Sequence, residues 1–171
     1  MAFTVEDGTG ITDANAYIAV ADADSYFTDR GGVAAWTAAL TAAKQAAIIR
    51  STDYIEARFG QRFLGTKLTT TQGLSFPRDD LYDRDGEEID GMPRPFLDAV
   101  CEYAVRALSA DLWNEPDRDP KGRIVVERKK VGPIEKDIRY AFNRDVSQIK
   151  PVPGADRLIL QYCSPSGMAI R

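Results

Sequence analysis

The strongest folding signal in this sequence is a helical pattern that begins near Thr41 and ends near Gly60. Its apolar stripe has the helical spacing i, i+4, i+7 and i+11, at Ile48, Thr52, Ile55 and Phe59. Threonine is a residue type that caps helix N-termini, and glycine is typical of the position just after a helix. The pattern therefore predicts a long amphipathic helix that packs its apolar stripe into a core.

A second long helix is predicted from Pro95 to about Trp113, because proline is favoured at the first helical position. One face of this segment is apolar, through Phe96, Val100, Tyr103, Ala107 and Leu108. A shorter helix is predicted after Asp22, a capping residue type, and ends at the pair Gly31-Gly32. These segments indicate a mainly α (α+β) fold built on a compact helical bundle.

The regions outside the helices predict two further features. About 35 residues with little helical character separate the long helices, and such a length is typical of a functional loop. We expect a loop or β-hairpin at about residues 61–92. Residues 123–142 are basic and β-branched, and they predict two short strands or an extended hairpin interrupted at Gly132-Pro133.

The C-terminal residues 158–160 form one apolar cluster, which predicts a short helix or a docking peptide. We therefore divide the single domain into a helical body, residues 1–120, and a basic β-arm with a C-terminal docking tail, residues 121–171.

The absence of histidine excludes several classes of active site. Without imidazole there is no Ser–His or Cys–His nucleophile pair and no histidine-ligated zinc. Catalysis would have to rest on carboxylates, lysine or tyrosine, so we expect no enzyme and no cofactor. The two cysteines, Cys101 and Cys163, lack CxxC spacing, which favours a reducing compartment. We also expect no export signal and no membrane span.

Seven carboxylates lie within residues 79–90, a density that raises the question of a metal or acid–base site. An EF-hand loop with Gly86 at position 6 would place Leu81 and Met92 at positions that need oxygen ligands. A glycosidase-type pair needs two carboxyl groups at a fixed separation, which this segment does not specify. We interpret the segment as a solvated hairpin with Asp85-Gly86 at its tip, while weak cation binding and catalysis stay open as alternatives. Its acidic side chains include Asp83, Asp85, Glu87 and Glu88.

Charge is distributed unevenly along the chain. Residues 1–120 hold 11 Lys or Arg and 21 Asp or Glu, a net charge of −10, whereas residues 121–171 hold 11 and 5, a net charge of +6. The run Arg128, Lys129 and Lys130 contributes to the positive end. This polarity suits head-to-tail association of copies as well as the binding of an anion.

Four segments in a fixed order form a pattern that extends over most of the chain. The first contains Asn15, Tyr17, Ala23, Tyr26, Phe27, Arg30, Gly31 and Trp36. The second contains Gln72, Leu74, Phe76, Pro77 and Arg78, and after the acidic hairpin Met92, Pro93, Ala99, Tyr103 and Ala104. The third is KKVGPIEKDI at 129–138, and the fourth is LILQY at 158–162, which Ser164-Pro165 follows. This order of motifs resembles the head-to-tail connector proteins of tailed phages, also described as adaptor, head completion or neck proteins.

The resemblance implies a structural virion protein that forms a homo-oligomeric ring of about twelve copies beneath the portal. The implied partners are the portal and a tail or neck protein, and DNA passes through the lumen without specific binding. The implied location is the virion neck, after synthesis in the bacterial cytoplasm. The resemblance also implies the label DnaT-like single-stranded DNA-binding protein, and this function stays open as the alternative.

Two groups of residues follow as candidates for specific roles. For the oligomer or partner interface we expect Arg128, Lys129, Lys130, Leu158, Ile159, Leu160 and Tyr162. For positioning the central loop we expect Pro77, Arg78 and Pro93, because prolines restrict the backbone and arginine can pair with carbonyls or carboxylates.

Overall fold

The computed structural model describes residues 2–113, 124–130, 135–140 and 152–164, and α-helices dominate this part of the chain. The helices are α1 (Val20–Asp29), α2 (Ala34–Thr37), α3 (Thr41–Phe59), α4 (Arg94–Ser109) and α5 (Pro153–Leu160), with a 3-10 turn at Gly60–Arg62. Two antiparallel sheets pair β1 (Thr66–Lys67) with β2 (Arg78–Asp79), and β3 (Ile124–Lys130) with β4 (Glu135–Tyr140). The predicted mainly α-helical fold with some β-structure is confirmed.

Helices α3 and α4 pack against each other at the centre of the body. The predicted stripe of α3 is buried in full, at Ile48, Thr52, Ile55 and Phe59. On α4 the predicted face is buried from Phe96 to Ala107, while Leu108 is half-buried at its edge. The 3.6-residue period of the apolar side chains therefore predicted correctly which faces enter the core.

The helix ends differ from the predicted caps. Thr41 is the first residue of α3, and Leu40, with an extended backbone, is the N-cap. The predicted threonine cap is therefore wrong. Gly60 keeps a right-handed helical backbone and leads into the 3-10 turn instead of reversing the chain. A Cβ at Gly60 would lie 3.1 Å from Ser75 Oγ, so this glycine permits close packing rather than a left-handed cap.

The ends of α1 and α4 show one confirmed prediction and two shifts. Gly31 and Gly32 end α1 as predicted, both with positive φ, and the Gly32 N–H donates to the Phe27 carbonyl at 2.8 Å. Helix α1 begins two residues before Asp22, whose carboxylate lies in the first turn instead of at the cap. Helix α4 begins one residue before Pro95.

The chain divides into two units, Met1–Leu112 with Pro151–Arg171 and Trp113–Lys150. Strands β3 and β4 belong to the second unit and pair antiparallel, which confirms the predicted strands in this region. The predicted break at Gly132-Pro133 lies outside the described residues.

Residues 152–164, by contrast, pack with the body, largely against α4. The sequence-based division grouped these residues with the arm. The apolar cluster at residues 158–160 was predicted to form either a short helix or a docking peptide, and the short helix is confirmed as α5. The buried apolar residues of this segment are Val152 just before α5, Ala155 and Ile159 within it, and Tyr162 and Cys163 in the turn after it.

Candidate functional site

The segment 72–78, which carries the most recognisable motif, folds inward and is held by its own polar groups. The buried Gln72 side chain donates from Nε2 to the carbonyls of Leu74 and Pro77, at 2.9 Å each. Its Oε1 accepts the backbone N–H of Thr69 at 2.8 Å. The Gln72 side chain therefore joins backbone groups on both sides of it in sequence, and its amide nitrogen and oxygen both make hydrogen bonds within the chain.

Arg78 fixes the same segment to the chain that follows α3. Its guanidinium donates to four backbone carbonyls, those of Phe63, Leu64, Gly65 and Ser75. The bonds to Gly65 and Ser75 measure 2.6 and 3.0 Å. Burial lowers the pKa of Arg78 from its ordinary value, and the five N–H donors of a guanidinium explain why one side chain can serve several carbonyls.

A second polar cluster attaches the segment to α3. The Tyr17 hydroxyl donates to the Glu56 carboxylate and accepts the backbone N–H groups of Ser75 at 3.1 Å and Phe76 at 3.3 Å. Ser75 Oγ donates to the other Glu56 oxygen at 2.7 Å. Burial, and then the charge of Glu56, raises the pKa of Tyr17 well above its ordinary value. The cluster therefore ties the backbone at Ser75 and Phe76 to α3 through Glu56 and Tyr17.

Sequence reasoning assigned no role to Glu56. It lies four residues after the buried Thr52 and three before the buried Phe59, so the helical period already placed its carboxylate at the edge of the core. A single acidic residue at such a position predicts a buried hydrogen-bond partner, and that signal was present in the sequence.

The aromatic member of the motif is a core residue. Phe76 is fully buried and stacks on Phe96 of α4, with ring centroids 4.3 Å apart. Phe63 and Tyr162 meet the same ring edge-on at 4.9 and 6.0 Å. Pro77, predicted to position the loop, is buried and follows a cis peptide bond. The motif therefore builds the packing between the loop, α4 and the C-terminal segment.

The acidic hairpin, residues 79–90, has the opposite character. Tyr82 and Glu88 form an antiparallel bridge, and Asp83 Oδ1 accepts the N–H groups of Asp85 and Glu87 at 2.8 and 2.9 Å. Gly86 has φ +83°, so the tip lies where the Asp85-Gly86 pair was predicted. The side chains of residues 82–88 are exposed. Within the described residues, no group of three or more His, Cys, Asp or Glu side chains could hold a metal ion.

Pro93, the third residue predicted to position the loop, stands directly before α4. It takes the N-cap position with an extended backbone, φ −65° and ψ 133°. Its carbonyl accepts the N–H groups of Phe96 and Leu97, so the chain leaves the hairpin and enters the helix at this residue.

The predicted C-terminal interface residues are divided between core and surface. Ile159 is fully buried and Tyr162 nearly so, Leu158 is half-buried, and Leu160 is 44% exposed. Contact of these four residues with a partner stays a prediction, and Leu160 is the one that presents a large apolar surface.

A buried ion pair holds this C-terminal segment to α3. Arg58 donates to both carboxylate oxygens of Asp156, at 2.7 and 3.0 Å, and the Tyr103 hydroxyl donates to the same carboxylate. Burial alone would lower the pKa of Arg58, but the hydrogen bonds and charge of Asp156 raise it overall. Burial and the Asp156 bond also raise the pKa of Tyr103. Two-pronged pairing of this kind fixes orientation as well as position.

The three basic residues predicted for the interface lie at one end of a strand of the second unit. Arg128, Lys129 and Lys130 are the last three residues of β3, opposite Asp137, Lys136 and Glu135 of β4. The structure therefore places the predicted interface cations together on one ribbon.

Among the described side chains, the exposed aromatic ones are Tyr82 and Trp113. The helices within the described ranges include none long and apolar enough to cross a bilayer.

Comparison with protein families gives a match over the full length of the chain. The model of a family described as "Putative DnaT-like ssDNA binding protein" matches residues 1–171 of this chain. No curated protein and no solved structure matches it.

Proposed function

This chain belongs to the DnaT-like family whose model matches its whole length, and we propose that it acts as a structural head-to-tail adaptor of a tailed phage. In this proposal several copies form a ring between the portal and a tail or neck protein, in the neck of the virion. DNA passes through the lumen without specific binding. The protein has no catalytic role and needs no cofactor.

The observation that carries the proposal is the separation of charge along the chain. In the two units of the fold, residues 1–112 with 151–171 hold 12 Lys or Arg and 19 Asp or Glu, a net charge of −7, and residues 113–150 hold 10 and 7, a net charge of +3. A ring needs a heterologous interface, in which two different patches of one molecule meet. Complementary charge on two regions supplies such patches, and it also raises the rate and specificity of association.

The body supports this proposal because its recognisable residues are used internally. Gln72 and Arg78 donate hydrogen bonds to carbonyls of their own chain and Phe76 packs in the core, so this motif supports a rigid body rather than a ligand site. The chain has a net charge of −4, and a lumen lined by its acidic residues would repel a phosphate backbone and let DNA move without holding it.

The direct test is the composition of the virion. Particles of the source phage would be purified and the chain quantified by mass spectrometry relative to the portal protein. The proposal expects the chain to be present at a ratio near one to one with the portal. Absence from the particle would contradict the proposal.

Charge reversal tests the interface separately. The triple variant Arg128→Glu, Lys129→Glu and Lys130→Glu should weaken assembly, and the difference from wild type should shrink as salt rises. A matched control reverses Arg50, Arg84 and Arg106, three exposed arginines of the body. Equal assembly of wild type and the arm variant at both low and high salt would contradict a role of these cations.

Single-stranded DNA binding is the second candidate, and the family description favours it. Such proteins combine a basic groove with aromatic side chains on which bases stack. The arm supplies the cations, with Tyr140 and Phe142 close by in sequence. Retention on single-stranded DNA at physiological salt, with a steep loss at higher salt, would favour this function over the adaptor.

A further inference from the structure

One end of the C-terminal segment, residues 152–164, is held to the body by a charge. Arg58 of α3 donates to both carboxylate oxygens of Asp156, at 2.7 and 3.0 Å, and Tyr103 of α4 donates to the same carboxylate. Asp156 is buried and Arg58 half-buried. Removing one partner of such a pair leaves the other charge without compensation, which is costly. Every body therefore needs one such segment.

The other end of the segment is held by its backbone and one aromatic ring. Phe63 and Cys163 form an antiparallel bridge, beside which the Leu64 N–H donates to the Tyr162 carbonyl at 2.9 Å. The Tyr162 ring meets Phe76 edge-on, with centroids 6.0 Å apart. Arginine and tyrosine anchors with a few directed hydrogen bonds are typical of contacts between separate chains. The contact of the segment with the body is therefore of a kind that joins two molecules.

A long stretch of chain connects the body to this segment. The body ends at Leu112, and the whole second unit, Trp113–Lys150, comes before the segment. The local concentration that a linker gives to its own segment is about millimolar when the linker is short, and it falls as the linker lengthens. A neighbour held in the same ring offers its segment at a similar local concentration. The connection therefore gives the segment of the same copy little advantage.

We infer that residues 152–164 of each copy pack on the body of a neighbouring copy, so that copies exchange their C-terminal segments. This inference rests on the proposed ring and names one of its interfaces. Exchange keeps every contact described above, because the same residues meet. Each copy gives one segment and receives one, so a closed ring leaves no body without its segment. The occupant is a copy of this chain, because Asp156, Tyr162 and Cys163 match the site contact by contact.

The test uses two variants of the full-length chain, Arg58→Asp and Asp156→Arg. The first brings two carboxylates together at this contact and the second brings two guanidiniums, so each variant alone should melt about 10 °C below wild type. The two variants would also be mixed in equal amounts in urea and refolded together. In an exchanged pair, the second variant keeps Arg58 in its body and receives the unaltered Asp156 of the first. The opposite contact again joins charges of opposite sign.

The mixture should therefore recover most of the loss in melting temperature. Native mass spectrometry should show species that contain both variants, which differ in mass. The result is decisive even where neither variant folds alone, because the mixture then folds only if segments are exchanged. Melting of the mixture as two separate variants, without mixed species, would overturn the inference.

The matched control applies the same design to an ion pair within the body. Arg30 and Asp98 pair at 3.2 Å, and both belong to residues 1–112. Arg30→Asp mixed with Asp98→Arg should show no recovery, because neither residue lies on the exchanged segment. Recovery in this control would show that mixing stabilises the chains for another reason, and the inference would lose its support.

A disulfide tests the same contact without a change of charge. Phe63 and Cys163 oppose each other at a non-hydrogen-bonded position, where Cα atoms are about 4.5 Å apart, a distance that a disulfide spans. Phe63→Cys together with Cys101→Ala leaves two cysteines, which would be oxidised with glutathione disulfide. Exchange expects covalent dimers and longer multimers on a non-reducing gel. A disulfide formed within monomers would overturn exchange.

The ring proposal is judged separately, by the amount of the chain in the virion. A chain present near one to one with the portal whose disulfide forms within monomers would leave the ring standing and overturn exchange. A chain that is absent from the virion but shows mixed species and covalent multimers would overturn the ring and leave exchange between copies.

Discussion

Two neighbouring segments of one loop differ in where their side chains lie: those of residues 72–78 are largely turned into the fold, whereas those of residues 79–90 are largely exposed. In the first, Gln72 and Arg78 direct all their hydrogen bonds to their own chain, and Phe76 lies in the core. In the second, the side chains of residues 82–88 are exposed, and the hydrogen bonds at its tip join only near neighbours in sequence. The segments are adjacent along the chain, yet one builds the fold and the other presents a surface.

The two segments therefore have different roles: the motif that resembles other proteins lies inside the fold, whereas the acidic residues lie where a partner could contact them. Gln72 and Arg78 satisfy backbone carbonyls inside the fold, and buried polar groups must stay paired, so substitutions at these two residues should cost stability. The exposed charges of residues 82–88 should be replaceable without a large loss of stability, and they are accessible for contact with a partner. The following predictions measure that difference, beginning with the largest expected effect.

Arg78→Ala should cause the largest loss of stability in this comparison. It leaves four carbonyls without their shared donor, and we expect the free energy of unfolding to fall by about 3 kcal/mol. Arg78→Lys should recover only part of this loss, because a single ammonium cannot match the spread of a guanidinium. Urea unfolding gives both values. The control Arg84→Ala removes an exposed arginine of the acidic hairpin and should stay within about 0.5 kcal/mol of wild type; equal losses at both positions would refute the contrast.

Gly65 and Gly86 form a matched pair for the second prediction. Both have positive φ, +71° and +83°, so an alanine costs about 1–2 kcal/mol at either position. A Cβ at Gly65 would lie 2.3 Å from the Asp79 carbonyl oxygen, whereas a Cβ at Gly86 meets nothing within 4 Å. Gly65→Ala should therefore lose about 1–3 kcal/mol more than Gly86→Ala. Thermal unfolding of the two variants measures the difference, and closely similar melting temperatures would argue against a close approach at Gly65.

Tyr17→Phe should cost about 1–3 kcal/mol, because the hydroxyl serves Glu56 and two backbone N–H groups. It should also change the alkaline stability. An unfolded tyrosine ionises near pH 10, but burial raises the pKa of Tyr17 in the folded state, so the folded chain binds more protons above about pH 10. Stability must then fall as pH rises, by up to about 1.4 kcal/mol per pH unit from this group.

The measurement is unfolding by urea between pH 8 and pH 11. Tyr17→Phe lacks the ionisable group, so its stability should fall less steeply above pH 10 than that of wild type. Tyr103, whose pKa is also raised by burial, contributes the same slope to both chains and so cancels in the comparison. Parallel curves for the two chains would show that Tyr17 ionises as easily in the fold as outside it.

The sequence predicted the helices and their buried faces because the 3.6-residue period depends only on local spacing. Helix ends were harder, since Thr41 and Gly60 have capping residue types but their backbone states depend on neighbours such as Ser75. The four acceptors of Arg78 could not be predicted, because three of them lie 13 to 15 residues earlier in the chain. Every residue has a backbone carbonyl, so no residue type in the sequence shows which carbonyls will accept a hydrogen bond.

The same reason explains the C-terminal segment. Its apolar cluster was visible, but the Arg58–Asp156 pair that attaches it joins residues 98 positions apart. Neither residue belongs to a motif. Long-range ion pairs of this kind are found from coordinates, whereas the tip of the acidic hairpin was found from sequence, because an Asp-Gly turn is local.

The smallest effect on folding is expected from the acidic hairpin itself. Asp85→Asn with Glu88→Gln removes two exposed carboxylates, and the free energy of unfolding should change by no more than about 0.5 kcal/mol, upward at low salt as repulsion falls. Asp83→Ala is the internal contrast, because its carboxylate accepts two N–H groups and its loss should cost about 1 kcal/mol. In the proposed ring, the double variant should instead weaken association of copies at low salt, because it removes negative charge that would attract the basic residues 128–130 of a neighbouring copy. If the double variant instead lost much of its free energy of unfolding and associated like wild type, the hairpin would be a folding element like residues 72–78. The distinction between the two segments would then be wrong.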